Sequence, residues 1–355
     1  MTTMLKNLTV SSSPHIRDNV STRRLMGDVI IALMPAAIAS IWFFGVRSLI
    51  LMAVSVVSAV AAEAYYQKKS KQSVTVSDLS AVVTGLLLAF NLPAGVPWWL
   101  AAIGSILAIV LVKQLFGGLG QNFMNPALAA RVILFISWMA IMSSYPTPTP
   151  GHFLTGLVPD AADVISKSTP LMTARKAADG AYSLVSSTGI SLWQMFAGEV
   201  PGVLGETSKL ALLLGLVYML YRRVVSWRIP AAFIGAVFLC YLVKEGTQVN
   251  TYAQAMSGNM SAAWGTALSN TVFQVLSGSV FLGAIFMATD YSTSPMTDTG
   301  KIIMGLGCGI LLFVIRAFSS YPEGCSFAIL FMNVATPLID RLTMPKSFGE
   351  VKQHA

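Results

Sequence analysis

What most limits the folds open to this chain is the rhythm of its apolar runs. Ten stretches rich in Leu, Ile, Val, Ala and Phe follow one another, at about residues 25–45, 48–66, 78–92, 98–115, 127–143, 210–221, 229–243, 272–288, 302–318 and 327–339. Most of the charge lies in the intervals between them. The chain is 55% hydrophobic and only 11% charged, where soluble domains carry about a quarter charged residues, and its mean hydropathy is +0.68. A chain so poor in charge reads as a polytopic, all-α membrane protein.

The basic residues test that reading. Counting ten crossings from a cytoplasmic start puts Lys68, Lys69, Lys71, Lys113, Arg222, Arg223, Arg228, Lys301 and Arg341 on one side, as the positive-inside rule demands. Removing one crossing would scatter the later clusters over both faces. The net charge of +8 is therefore loop charge that sets topology, and no nucleic-acid partner follows from it. The polar start, with Lys6, Arg17, Arg23 and Arg24, lacks the pattern of a cleavable signal. The expectation is a multi-pass protein of a bacterial inner membrane with both termini cytoplasmic. It divides into a cytoplasmic segment 1–24, a first membrane repeat 25–145, an extracytoplasmic loop 146–208, a second repeat 209–341 and a cytoplasmic tail 342–355. Five spans on each side of a long polar interval would make the two halves inverted repeats, and the short third, sixth and seventh runs allow helices broken at mid-membrane.

Cys240, Cys308 and Cys325 stand alone in apolar runs, and His15, His152 and His354 are scattered. An iron–sulfur cluster, a zinc site or a bis-His haem made by this chain alone is improbable on that spacing. A redox role would need an organic cofactor or clusters on partner chains.

Three segments carry possible chemistry. In the polar interval, Asp163-Val164-Ile165-Ser166-Lys167-Ser168-Thr169-Pro170-Leu171 ends on Ser-Thr-Pro. Proline biases the residue before it toward extended backbone, so a surface turn is the plain alternative. Gly117-Gly118-Leu119-Gly120-Gln121-Asn122-Phe123-Met124-Asn125-Pro126-Ala127 combines glycines, which allow close backbone approach, with amides suited to the edge of an uncharged heterocycle. A capped, re-entrant turn explains it equally. Gly278-Ser279-Val280-Phe281-Leu282-Gly283-Ala284-Ile285-Phe286-Met287-Ala288-Thr289-Asp290-Tyr291 has the small residues of tight helix packing in lipid.

Together these segments resemble the RnfD/NqrB family, membrane subunits of ion-translocating ferredoxin:NAD and NADH:quinone oxidoreductases. The first resembles the family's flavin-attachment motif, with Asp163, Ser166, Ser168 and Thr169 in order. Val164 replaces the usual Gly, and Ser168 replaces the usual Ala, which makes Ser168 a rival acceptor. The second is similar to the family's GGLGxNxxNPA segment, and the third to its G-x-F-F-M-A-T-D signature. Further matches run from Ser12-Ser13-Pro14-His15 to Asn333, Pro337 and Asp340, and the short N-terminal extension is nearer RnfD than NqrB.

The resemblance implies an inverted-repeat fold similar to urea transporters and FMN joined to Thr169 by a phosphoester, with Asp163, Ser166, Ser168, Pro170 and Leu171 around it. It also implies non-covalent riboflavin near Gly118, Asn122 and Asn125. Sister subunits similar to RnfA, RnfB, RnfC, RnfE and RnfG, and a flavin transferase, would be its partners. Arg316, Tyr321 and Glu323 fall on the expected outer face with Thr169, where Arg316 meets either a phosphate or Glu323. Ionisable residues at membrane depth default to functional hypotheses, which makes Glu63, Asp290 and Asp340 candidates for an ion path; snorkelling or a structural ion pair is the alternative. The rival functions are a solute channel or transporter on the same scaffold without redox work, and a passive membrane anchor for redox partners.

Overall fold

The computed structural model describes residues 21–151, 168–177, 183–319, 321 and 323–344. Helix is the regular structure throughout the described residues, with a single isolated β-bridge. Every apolar run carries helix, but the runs are not alike. Five helices are long and apolar enough to cross a membrane: α1 (Thr22–Phe44), α2 (Val46–Lys69), α8 (Arg228–Thr247), α11 (Asp298–Phe318) and α12 (Cys325–Thr343), numbered in chain order among the helices used here. A sixth crossing is made if α9 (Met260–Leu276) and α10 (Val280–Met287), bent by 59° at the break between them, act together. The remaining runs form α3 (Ser80–Phe90), α4 (Trp98–Gln114), α5 (Pro126–Ser137) and α7 (Lys209–Tyr221). At 1.5 Å per residue, α3 reaches only about 16 Å, half of a ~30 Å hydrocarbon core. α6 (Pro170–Ala177) lies in the polar interval.

The short helices end inside the bundle, and that leaves backbone groups to satisfy at depth. The stretch after α3 and the stretch before α7 solve this by pairing. Pro93 and Val203 form an antiparallel bridge, Leu204 N–H donates to the Leu92 carbonyl at 3.0 Å, and Gly205 N–H donates to the Phe90 carbonyl at 2.9 Å. Glycine is required at 205 because a Cβ there would run into the Phe90 side chain. Ser40 in α1 closes the arrangement by donating to the Leu204 carbonyl at 2.6 Å.

Two segments are wound as π-helix, Ala108–Gln114 at the end of α4 and Gly283–Met287 within α10. Each adds one residue per turn and so re-aims the side chains that follow. Such segments concentrate at functional sites.

The bundle has two distinct ends. α1 and α11 begin, and α2, α4, α7 and α12 finish, at an end where Arg222 pairs with Asp28 at 3.1 Å and Arg228 pairs with Asp298 at 2.9 Å. The Lys and Arg clusters that predict one side of the membrane gather there, and we call it the basic end. Exposed Trp, Leu, Ile and Val side chains cover the outside of the helices, such as Ile38, Val57, Val217, Leu239 and Leu338, as a surface facing lipid requires.

Candidate functional site

The glycine loop and the α10 signature meet at the basic end. Gly117, Gly118 and Gly120 have φ of +110°, +94° and +87°, a region open to glycine at little cost, and they fold the loop back under α4. Asn125 then starts α5. Its amide oxygen accepts from Ala127 N–H at 3.0 Å and Leu128 N–H at 3.3 Å, and its amide nitrogen donates to the Met287 carbonyl at 3.3 Å. Both ends of the Asn125 amide are therefore engaged, the oxygen in capping α5 and the nitrogen in joining the two halves of the chain. Gly118 shapes the loop and does not line the cavity beside it.

Asn122 does line that cavity. Its amide nitrogen donates to Met124 O at 3.1 Å and to Ser292 Oγ at 3.0 Å. Its amide oxygen is buried without a hydrogen-bond partner among the described residues. The cavity walls are apolar and come from both halves: Met26, Val29, Val83 and Leu87 on one side, Met219 and Phe286 on the other. Asp290 stands at the rim and accepts from Ser292 Oγ at 3.0 Å. Burial pushes its carboxyl above the usual carboxylate range, opposed by the Ser292 and Thr293 hydrogen bonds and by the Lys113 charge.

Lys113, on the π-helical end of α4, also lines the cavity and is buried. Its ammonium donates to Glu63 Oε1 at 2.7 Å and to Ser80 Oγ at 2.6 Å. Gln114 Nε2 donates to the same Glu63 oxygen at 2.6 Å, and Ser80 Oγ passes the network on to Asp78 at 2.6 Å. Glu63 Oε2 is left buried with no hydrogen-bond partner among the described residues. The ion-path candidate of the sequence is thus held in a dry ion pair beside the cavity. Asp340 differs: it accepts from Met296 N–H at 3.0 Å and tethers the loop before α11 at the basic end.

Thr169 sits at the opposite end. It is half-buried at the start of α6, where its hydroxyl accepts from Met172 N–H at 3.3 Å and its carbonyl accepts from Thr173 N–H at 2.9 Å. Thr169 is therefore the residue that caps a helix from outside it, a position where extended backbone is usual, with Pro170 in the first turn, where proline fits. Ser168 is half-buried beside it, while Asp163 and Ser166 lie outside the described residues. The next turns of α6 supply Leu171, Ala174 and Arg175 to a second cavity that Lys244, Gln274 and Arg316 also line. Arg316 donates to the Gln274 carbonyl and the Ser277 carbonyl, both at 2.9 Å, and pairs with Glu323 at 3.6 Å. Its Nε and the Gln274 side-chain oxygen have no hydrogen-bond partner among the described residues. Of the two neighbours offered by the sequence, Arg316 has Glu323. Tyr321 packs its ring between Phe135 and Phe327 and serves as an aromatic brace.

Between the cavities runs a buried polar seam. Arg131 donates to Asn91 Oδ1 at 3.0 Å and Ser326 Oγ at 2.9 Å, and Ser279 Oγ donates to Glu206 at 2.6 Å. Glu323 accepts from Ser279 N–H at 3.3 Å and so links the seam to Arg316. Lys113, Gln274, Arg175, Lys244, Glu206 and Lys209 are not legible in the sequence as site residues. Lys113 reads there as topology charge at the end of an apolar run. Glu206 and Lys209 read as loop residues, because only the short α7 shows that the preceding loop is inside the bundle.

The chain is 43% identical to the D component of the Na+-translocating ferredoxin:NAD+ oxidoreductase complex of Acetobacterium woodii, over 98% of this chain and 96% of the relative. It is 37% identical to the D component of the proton-translocating ferredoxin:NAD+ oxidoreductase complex of Clostridium ljungdahlii, over 97% of each. The D component of an ion-translocating oxidoreductase complex of Salmonella paratyphi A is 35% identical over 97% of this chain and 99% of the relative. The model of the NQR2, RnfD, RnfE family matches residues 9–349, nearly the whole chain. Glycine loop, α10 signature and Thr169 helix start are thus set in a chain that belongs to the NQR2, RnfD, RnfE family.

Proposed function

We propose that this chain is the D-type membrane component of an ion-translocating ferredoxin:NAD+ oxidoreductase complex, and that it carries electrons between the two ends of the bundle. Thr169 would hold FMN through a phosphoester, and the basic-end cavity would hold riboflavin without a covalent bond. Bound flavin would supply one-electron chemistry; the side chains bind it, orient it and set its environment.

The observation that carries the reading is the position of the Thr169 hydroxyl. It caps the eight-residue helix α6, whose following turns border a cavity containing Arg175, Lys244 and Arg316. Helix N-terminal N–H groups and nearby cations favour a phosphoryl group. At the other end, the buried Asn122 oxygen is an acceptor with no hydrogen-bond partner among the described residues. A flavin ring edge offers an N–H, and the apolar walls suit its uncharged faces.

The topology belongs to the same proposal. The basic end would be cytoplasmic under the positive-inside rule, which places Thr169 outside. The four short helices and the bent α9–α10 pair would complete ten crossings in two inverted five-helix repeats, similar to urea transporters. Partners similar to RnfA, RnfB, RnfC, RnfE and RnfG would deliver and remove electrons, and a flavin transferase would load Thr169. Coupled movement of Na+ or H+ would involve Glu63. Vesicles in which Glu63→Gln pumped ions at the wild-type rate would end that role.

The first test is ultraviolet fluorescence of the denatured band after co-expression with an active flavin transferase. Wild type and Ser168→Ala are expected to fluoresce, and Thr169→Ala to be dark. A dark wild-type band would remove the covalent flavin and favour a solute transporter on this scaffold.

A further inference from the structure

We infer that Lys113 sets the reduction potential of the flavin in the basic-end cavity, and that Glu63 acts on this flavin through Lys113. The inference rests on the proposal that the cavity holds a flavin, and extends it to a residue that no motif marks.

The geometry has three parts. Lys113 and Ser80, whose hydroxyl accepts from the ammonium, both line the cavity, while Glu63 does not line it and lies 2.7 Å from the ammonium. The pair therefore presents its positive pole to the occupant. Second, the pair is dry: the side chains are 2% and 1% exposed, so solvent screens little of its field. Third, the ammonium is fixed. Ser80 accepts from it at 2.6 Å, Gln114 holds the shared Glu63 oxygen at 2.6 Å, and the π-helical turn Ala108–Gln114 aims Lys113 and Gln114 inward together. A mobile surface lysine would average its field away, whereas this one cannot.

The sign follows. Adding an electron to a neutral ring makes it more negative, and a fixed cation beside it stabilises the reduced form. The electron comes from a chemical reductant in a titration, and from a reduced carrier on a neighbouring protein in the complex. Removing the Lys113 charge must lower the midpoint potential. Neutralising Glu63 must raise it, because the ammonium then faces the cavity uncompensated by its nearest carboxylate. Any event that changes the charge at Glu63 is in this way felt by the flavin, which is a route for linking electron transfer to ion movement.

The test is a redox titration of the full-length chain in detergent, on a Thr169→Ala background so that only non-covalent flavin responds. Flavin content is measured separately by acid extraction. Lys113→Gln keeps a hydrogen-bond donor without the charge and is expected to shift the reduction equilibrium at least tenfold toward oxidised flavin, about 59 mV for one electron. Lys113→Arg keeps the charge and is expected to stay within twofold of the parent. A flavin-loaded Lys113→Gln chain with an unmoved midpoint overturns the inference, as does an equal shift in both variants. If Lys113→Gln does not accumulate, Glu63→Gln decides: a raised midpoint supports the inference and an unmoved one overturns it. Failure of the underlying reading looks different, because the parent chain itself would then yield no extractable flavin.

Discussion

The two cavities hold their polar groups in opposite ways. At the basic end, the walls are apolar and drawn from both halves of the chain. The charge comes from the buried Lys113–Glu63 pair and from Asp290 at the rim, and the Asn122 amide oxygen has no hydrogen-bond partner among the described residues. At the Thr169 end, three cations, several amides and the Glu245 carboxylate line the space directly, and Arg316 is tied to backbone carbonyls and to Glu323. The first design suits a neutral ring held by shape and a few hydrogen bonds. The second suits an anionic group tethered by a bond and read by charge. On the proposed function, one chain would separate retention by packing from retention by covalent attachment, and the difference can be broken one end at a time.

The largest effect is expected at the Thr169 end, from Arg316→Met. Its side chain is 1% exposed and serves two carbonyls and a carboxylate. Removing one partner of such a buried arrangement costs about 3–5 kcal/mol. Thermal unfolding in detergent should show a clear loss of stability, accompanied by weaker fluorescence of the denatured band. Wild-type stability in this variant would mean that the charges at this end serve only the bound group. Asn122→Ala addresses the other end. It removes an acceptor with no partner among the described residues and the donor to Ser292, and a hydrogen bond of about 1.4 kcal/mol corresponds to roughly tenfold in retention. Extractable flavin should fall by that factor while covalent fluorescence is unchanged. Loss of both signals together would show that the two ends are not independent.

Much of this contrast is legible in the amino-acid sequence. The apolar rhythm predicts helix in each of the ten runs but not α6 in the polar interval, the start of α9 at Met260 or the break before α10, and the basic clusters predict which loops share an end. Asn122 is legible as a polar feature of the glycine loop, and the fold places it on the cavity. Asn125 is legible as a feature but not in its role, since only the fold shows its amide consumed in capping α5 and holding the Met287 carbonyl. The short helices, the Pro93–Val203 pairing and the two π-helical turns are not legible in detail, because hydropathy reports burial and not whether a run stops halfway. That blindness hides Lys113 and Glu206. A lysine at the end of a run looks like a surface anchor until an extra residue per turn points it inward. A glutamate in a loop looks solvated until the loop is found between half-helices.

The smallest effect is expected from Asp298→Asn, and it sharpens the comparison because it alters an ion pair at the same end as Lys113. Asp298 pairs with Arg228 at 2.9 Å and lies 3.8 Å from Lys301, but its side chain is 61% exposed and that of Arg228 is 34% exposed. Water screens such a pair, and exposed pairs contribute about 0.2–1 kcal/mol. Asp298 also sits in the first turn of α11, where a carboxylate favours the helix dipole, an effect of the same modest size that salt weakens. The unfolding midpoint of Asp298→Asn should fall slightly at low ionic strength and meet wild type at high salt. The midpoint potential of the non-covalent flavin should not move, since this charge pair does not line the cavity and its field is lost to solvent. A shift as large as that expected for Lys113→Gln would show that the whole basic end, and not one dry pair, sets the potential.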